Sequence, residues 1–339
     1  MNQDIKYLFQ AQNRQRGNFI SVILPVYNEV LSLPFVLDEL YAYLSKHQKE
    51  YKFEITFIDD CSTDDSFSKV RELAKNAPEN VRVSVARLAK NSGSHVAITA
   101  GLNIARGNFI IIMSSDGQDP ATVIGDLISE WKQGNDLVLA TRSDNLENNR
   151  VVNYISNVAW RIMKWSTDIK MPDHGCDLLG MDKKVLGAFN RMDERNTTFI
   201  FRILSLGFDQ KEIRYVKRAR VAGKSKWTFF KKIAILFDAM TGFSNRPLKM
   251  ITSLGMTIFV ILVFRWLVVM FKVYVMGEQP DSQDIILNSI FTSLAVVVLL
   301  LGFIGDYIWR ILDETRKRPL YEVSKVGGEI FEDDHGNQN

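Results

Sequence analysis

The sequence predicts an α/β domain, built on a parallel sheet covered on both faces, followed by a two-helix transmembrane hairpin. Three observations carry this expectation. β-Branched apolar runs alternate with helical patterns through residue 119. Short polar clusters close these runs at their C-terminal ends, where open α/β sheets bind ligands. Two apolar runs, each longer than the roughly 20 residues that cross a bilayer, follow one another late in the chain.

The elements follow in order. Residues 19–27, Phe-Ile-Ser-Val-Ile-Leu-Pro-Val-Tyr, form a first strand ending in Asn28-Glu29. Helical spacing runs from Leu33 to Lys46, and Phe53 to Ile58 is a second strand closed by the acidic turn Asp59-Asp60-Cys61-Ser62-Thr63-Asp64. A helix over Ser66 to Lys75 and a strand over Val81 to Ala86 come next. The turn Asn91-Ser92-Gly93 opens a helix that runs through Ala105. Asn108 to Met113 is a further strand, ending in Ser114-Ser115-Asp116-Gly117-Gln118-Asp119.

The apolar runs are Met250 to Met276, interrupted by Arg265 and Lys272, and Ile285 to Ile311, with Asp306 near its end. The connector, residues 277–284, carries no Lys or Arg. The flanks are basic: Lys224, Lys226, Lys231, Lys232, Arg246 and Lys249 before, and Arg310, Arg316, Lys317 and Arg318 after. By the positive-inside rule both flanks, and with them the large domain and both termini, are cytoplasmic. Arg265 lies mid-span, where it either faces a partner group or snorkels from a tilted helix. Residues 225–248 mix aromatic, aliphatic and Lys residues at helical spacing, which predicts interfacial amphipathic helices. The expected organisation is an N-terminal extension (1–18), a large α/β domain (19–224), interfacial helices (225–248), two spans within 249–311 and a cytoplasmic tail (312–339).

Composition narrows the function. A formal net charge of +3 over 339 residues gives no nucleic-acid signal. Two cysteines, Cys61 and Cys176, have neither metal nor disulfide spacing and suit a reducing compartment. The N-terminus has no apolar h-region, so no cleavable signal peptide is expected. No G-x-G-x-x-G follows the first strand and no G-x-x-x-x-G-K-[ST] occurs, which argues against dinucleotide oxidoreductases and P-loop NTPases.

The polar clusters resemble a known set. Pro25-Val26-Tyr27-Asn28-Glu29, Ile58 through Asp64, and Asp116-Gly117-Gln118-Asp119-Pro120 resemble the motifs of family 2, GT-A fold glycosyltransferases. Residues 220–226, Arg-Val-Ala-Gly-Lys-Ser-Lys, together with Gly305-Asp306-Tyr307 and Lys317-Arg318-Pro319 in the terminal hairpin, resemble the polyisoprenyl-phosphate hexosyltransferases, the group of dolichyl-phosphate mannose synthase and bactoprenyl-phosphate glucosyltransferase. The resemblance covers residues 19–322 and implies an inverting transfer of a hexose-type sugar from a nucleotide-sugar to undecaprenyl or dolichyl phosphate. It also implies a bacterial cytoplasmic membrane location and a homo-oligomer, with a tetramer one option.

By the same resemblance, Pro25, Tyr27, Asn28, Glu29, Asp60, Ser115 and Asp116 bind the nucleotide-sugar, and Asp116 and Gln118 hold a divalent cation, Mg²⁺ or Mn²⁺. Such a cation neutralises the departing pyrophosphate without proton transfer. The acids at 59, 60 and 64 would equally serve to cap a helix around Ser62 to Asp65. Ser114 stands where the family's Asp-x-Asp-x-Gln has its first Asp, which removes one carboxylate. Asp173 and Asp177, in Asp-His-Gly-Cys-Asp, are candidate catalytic acids or bases beside the sugar, with His174 a weaker third; Leu179 takes the place of an expected Arg. A phosphate acceptor is already anionic, so in-line displacement needs positioning and electrostatics more than a strong base. Arg142, Arg150, Arg220, Ser225 and Lys226 are expected to hold the lipid phosphate, with Arg gripping through paired N–H donors. A processive polysaccharide synthase and a catalytically weakened scaffold are the competing readings. The first lacks its Gln-x-x-Arg-Trp motif, and the second rests on Ser114 and Leu179 alone.

Overall fold

A computed structural model describes residues 16–79, 81–143, 170–172, 176, 178–192, 198–218, 282–316 and 318–328, and scattered positions between 257 and 277. The first strand, β1 (Phe19–Val26), pairs in parallel with β2 (Lys52–Asp59) on one side and β4 (Phe109–Ile112) on the other. Beyond β2 lies β3 (Val81–Leu88), also parallel. Past β4 come β6 (Leu178–Asp182), which is antiparallel, then β5 (Leu137–Arg142), then β7 (Gln210–Tyr215), parallel to β5. A last strand, β8 (Val323–Gly328), runs antiparallel along β3, giving the order β7-β5-β6-β4-β1-β2-β3-β8. Six strands therefore end on one edge of the sheet, and β6 and β8 begin there.

Side-chain alternation divides the core into two layers. Ile20, Val22, Leu24 and Val26 of β1 pack with helices α1 (Leu33–Lys46), α2 (Ser66–Ala74) and α4 (Val123–Lys132). Ile23 turns the other way and packs with α3 (Ser94–Ile104), α5 (Lys183–Phe189) and α6 (Phe199–Ser205). This is the period-2 rule at work in strands buried on both faces. The elements expected from the sequence through β4 lie within about two residues of those observed. α5 starts at Asp182, whose carboxylate accepts from Lys184 N at 2.9 Å and from the Trp131 indole N–H at 2.7 Å. That cap joins the antiparallel strand to α4 across the lower edge of the sheet.

Pro25 sits inside β1 at no hydrogen-bonding cost. Ile23 O accepts from Met113 N, so alternate residues of β1 face β4. β4 has ended where Pro25 would need an N–H, and the Pro25 carbonyl accepts instead from Ser115 Oγ at 2.7 Å. The chain order makes this same place a switch point. β1, β2 and β3 step outward on one side, and β4 then returns to the other side of β1, leaving a crevice at their C-terminal ends.

The second apolar run lies in one helix, α7 (Ser282–Arg316), 35 residues long. Most of the first run lies outside the described residues. The expected pair of crossings is not established by the structure, because among the described residues no helix is long and apolar enough to cross a membrane. The segment expected as a tail from 312 onward contributes β8, which brings the chain back to the sheet.

Candidate active site

The turn after β1 is clamped onto the turn after β2. Asn28 adopts a left-handed φ of 51°, as Asn does more readily than most residues. Its Oδ1 accepts from Thr63 N at 2.8 Å, its Nδ2 donates to Thr63 Oγ1 at 3.1 Å, and its backbone N–H donates to Ser62 Oγ at 3.0 Å. Glu29 N donates to Ser66 Oγ at 2.8 Å, and the Glu29 carboxylate accepts from Ser32 Oγ at 2.8 Å. Ser32, fully buried, also lies 3.0 Å from the Ser115 carbonyl and so couples this turn to the one after β4. Tyr27 is half-buried between these turns and the end of β1.

Two adjacent acids close β2 and do different things. Asp59 faces Ser62 and Arg87: it accepts from Ser62 N and Ser62 Oγ, and Arg87 Nε lies 3.4 Å away. Asp60 faces the other way and takes Ser92 N and Gly93 N on its two oxygens, each at 2.7 Å. Burial pushes both carboxyls above the ordinary range, and these donors oppose that push. A carboxylate has about four acceptor sites, and the two amides occupy two of Asp60's. The capping alternative is thus realised in part: Asp64 accepts from Ser66 N at 3.0 Å, ahead of α2, while Asp60 pins the loop that opens α3.

The turn after β4 gathers the remaining acids. Ser114 Oγ lies 2.7 Å from both Asp116 Oδ1 and Asp119 Oδ2, one hydroxyl between two carboxylates. Gly117, at φ 76°, lets the chain fold back so that Gln118 N donates to Asp116 Oδ1 at 3.1 Å. The Gln118 side chain donates through Nε2 to the Arg218 carbonyl at 3.2 Å. Asp119 is deeply buried, accepts from the Tyr215 hydroxyl at 2.6 Å, and lies 3.8 Å from Lys217 Nζ. Asp116 and Gln118 offer hard oxygen donors of the kind Mg²⁺ and Mn²⁺ prefer, and such ions take remaining ligands from phosphates and water. Among the described residues no group of three or more His, Cys, Asp or Glu forms a metal cluster.

Of the expected site residues, the structure brings Pro25, Tyr27, Asn28, Glu29, Asp60, Ser115, Asp116 and Gln118 to this one edge. Arg142 ends β5 on the same edge, paired in register with Tyr215. Asp173, Asp177, Arg150, Arg220, Ser225 and Lys226 lie outside the described residues. Leu179 needs a different account. It is buried in β6 between Ile112 and Leu139, so its side chain belongs to the core and its being leucine removes no charge from the edge. Sequence reasoning passes over Ser32, Arg87, Tyr215 and Lys217, which hold Glu29, Asp59 and Asp119 in place.

The sequence model of Glycosyl transferase family 2 matches residues 21–187. An uncharacterized glycosyltransferase of Bacillus subtilis is 32% identical over 323 residues, which span 93% of this chain and 97% of that protein. The undecaprenyl-phosphate 4-deoxy-4-formamido-L-arabinose transferase of Shewanella sediminis is 32% identical, over 93% of this chain and 94% of its own length. A prophage bactoprenol glucosyl transferase homolog of Escherichia coli is 30% identical, over 91% of this chain and 99% of its own.

Proposed function

The chain belongs to glycosyl transferase family 2, and from that premise we propose that it moves a hexose-type sugar from a nucleoside-diphosphate sugar to a polyprenyl phosphate at a membrane surface. One observation carries the reading: the acidic turns after β1, β2 and β4 meet at the sheet's switch-point edge, and β8, which follows α7 in the chain, starts at that same edge. β8 is antiparallel to β3, so Val323 lies opposite Leu88, at the C-terminal end of β3. The seven steps from Arg316 to Val323 span at most about 25 Å.

In this reading Asp60 and the Pro25–Glu29 turn receive the nucleoside, and Ser115 and Asp116 receive the sugar diphosphate. Asp116 and Gln118 would hold a divalent cation, which supplies charge neutralisation to the leaving pyrophosphate. Asp116 is fixed for this by Ser114 Oγ and Gln118 N, and Lys217 and Tyr215 balance the neighbouring Asp119. The acceptor phosphate attacks the anomeric carbon in line and inverts it, with Asp173 and Asp177 beside the sugar. Arg142, Arg150, Arg220, Ser225 and Lys226 hold the acceptor's phosphate. Two relatives named for undecaprenyl-phosphate and bactoprenol transfer support the choice of acceptor.

Lipid contact has support of its own. Ile286, Ile290, Leu294, Val297, Leu301, Ile304 and Ile308 recur at helical spacing along α7, and each is about half exposed. Such a stripe is unfavourable in water and needs lipid or another helix against it. We read 250–276 and 285–311 as a transmembrane pair that keeps the catalytic edge at the cytoplasmic membrane face.

The test incubates the purified full chain with a panel of labelled nucleotide-sugars, undecaprenyl phosphate and Mg²⁺ or Mn²⁺. A lipid-linked labelled sugar is the expected product. No lipid-linked product with any donor rules the reading out.

A further inference from the structure

β8 does more than cover an edge. Its neighbour β3 carries Arg87, which reaches into the acidic turn. Arg87 Nε lies 3.4 Å from Asp59, Arg87 NH2 donates to Ser62 O at 2.8 Å, and the guanidinium lies over the Phe67 ring at 5.5 Å. The residues that bracket this end of β3 come from the C-terminal segment. Ala89 N donates to Glu322 O at 2.8 Å, and Ser324 Oγ lies 3.2 Å from both Arg87 O and Leu88 O. Tyr321 packs with Ile58, Ala86, Leu88, Ala97 and Ala100, and its hydroxyl accepts from Asn103 Nδ2 at 2.9 Å. Ala89 also begins the loop whose Ser92 and Gly93 amides hold Asp60. An unbroken chain of contacts thus runs from the strand that follows α7, through β3, to both acids of the turn.

We propose that β8 is a latch, delivered by the apolar helix, that orders the 59–63 turn and the 89–93 loop, with Arg87 as the positioning residue that transmits it. The consequence for donor binding rests on the reading of that turn as the nucleotide site; the ordering itself does not. A chain whose apolar helices are not seated would have a loose β8 and therefore a loose donor turn, which couples binding of the soluble substrate to correct membrane placement.

The test is hydrogen exchange on the full chain in detergent, read at the amides of Ser62, Ser92 and Gly93. Lys325→Pro and Val326→Pro are compared. Alternate residues of an edge strand turn their N–H to the neighbour, so one of the two removes a ladder donor and the other serves as its control. That one is expected to speed exchange at the three amides by at least about tenfold, with the amides of Asn108 and Met113, bonded to β1, unchanged. Arg87→Gln, which leaves β8 intact, is expected to raise exchange at Ser62 as well. Wild-type exchange rates in all three variants, or an equal rise at Asn108 and Met113, overturn the latch. Addition of UDP or GDP with Mn²⁺ to the wild-type chain tests the other reading separately. Protection of these amides supports the nucleotide site, and no protection by either nucleotide removes it, whatever the proline variants do.

Discussion

Asp60 holds two backbone amides of a neighbouring loop, and this sets what its substitution will cost. Asp60→Ala leaves the half-buried Ser92 N and Gly93 N without their acceptor, at up to about 1–3 kcal/mol for each group. We expect a clear fall in thermal midpoint together with a raised donor KM, and Asp60→Asn, which keeps one acceptor oxygen, to lie between. Asp116→Ala removes the carboxylate proposed above to hold the divalent cation. Its transfer rate is expected to fall at least about a hundredfold, with weaker Mn²⁺ binding by electron paramagnetic resonance; unchanged turnover would remove Asp116 from the mechanism. His95, near the start of α3, packs against Phe199 at 5.4 Å with both ring nitrogens out of water, and that burial lowers its pKa to about 4. Its folded pKa is below the unfolded value, so the unfolded chain takes up the proton first as pH falls. The neutral imidazole's full contribution is present above the unfolded pKa and is lost as pH drops toward about 4, by up to about 3 kcal/mol. Thermal melts of His95→Phe between pH 7.5 and pH 5 should therefore be flatter than wild type.

Among the elements, β1 to β4 and the three helices between them were legible because each strand carries its own signal, a β-branched run closed by a polar turn. β6 and β8 were not. Both are short, both contain glycine, and both are antiparallel members of an otherwise parallel sheet, paired with strands far away in sequence. Gly180 shows why β6 has this composition. A Cβ there would overlap the ring of Phe109, which is stacked on Trp131 at 4.8 Å. Gly180→Val is expected to destabilise the fold by about 1–3 kcal/mol or more through overpacking, measured as a lowered melting temperature. Leu179 belongs to the same strand. Read as a missing arginine of the acceptor segment it counts against activity, but its place in the core explains the leucine by packing alone.

For the whole molecule, the return of β8 to β3 constrains topology. The chain leaves the sheet after β7 and re-enters it at β8, so any membrane crossings between them must be even in number. Cysteine labelling tests the hairpin: Asp281→Cys in the connector should react with an impermeant thiol reagent from outside intact cells. Ser324→Cys should react only after the membrane is opened. Labelling of both from the same side would refute two crossings.

The sequence by itself determined the family, the motifs that carry the resemblance, the two apolar runs and the succession of the first four strands along the chain, because these depend on local periodicity and on residues close together in the chain. Only the tertiary structure decided that Ser114 lies between two carboxylates, that Tyr215 and Lys217 hold Asp119, that Leu179 is core and that the C-terminal segment forms an eighth strand. The Ser114 contacts are local and depend on how the turn folds; the other three join residues distant in sequence, and they share one physical reason. A buried polar or apolar group takes its partner from whatever the sheet order places beside it, and that order is not written in any single stretch of the chain.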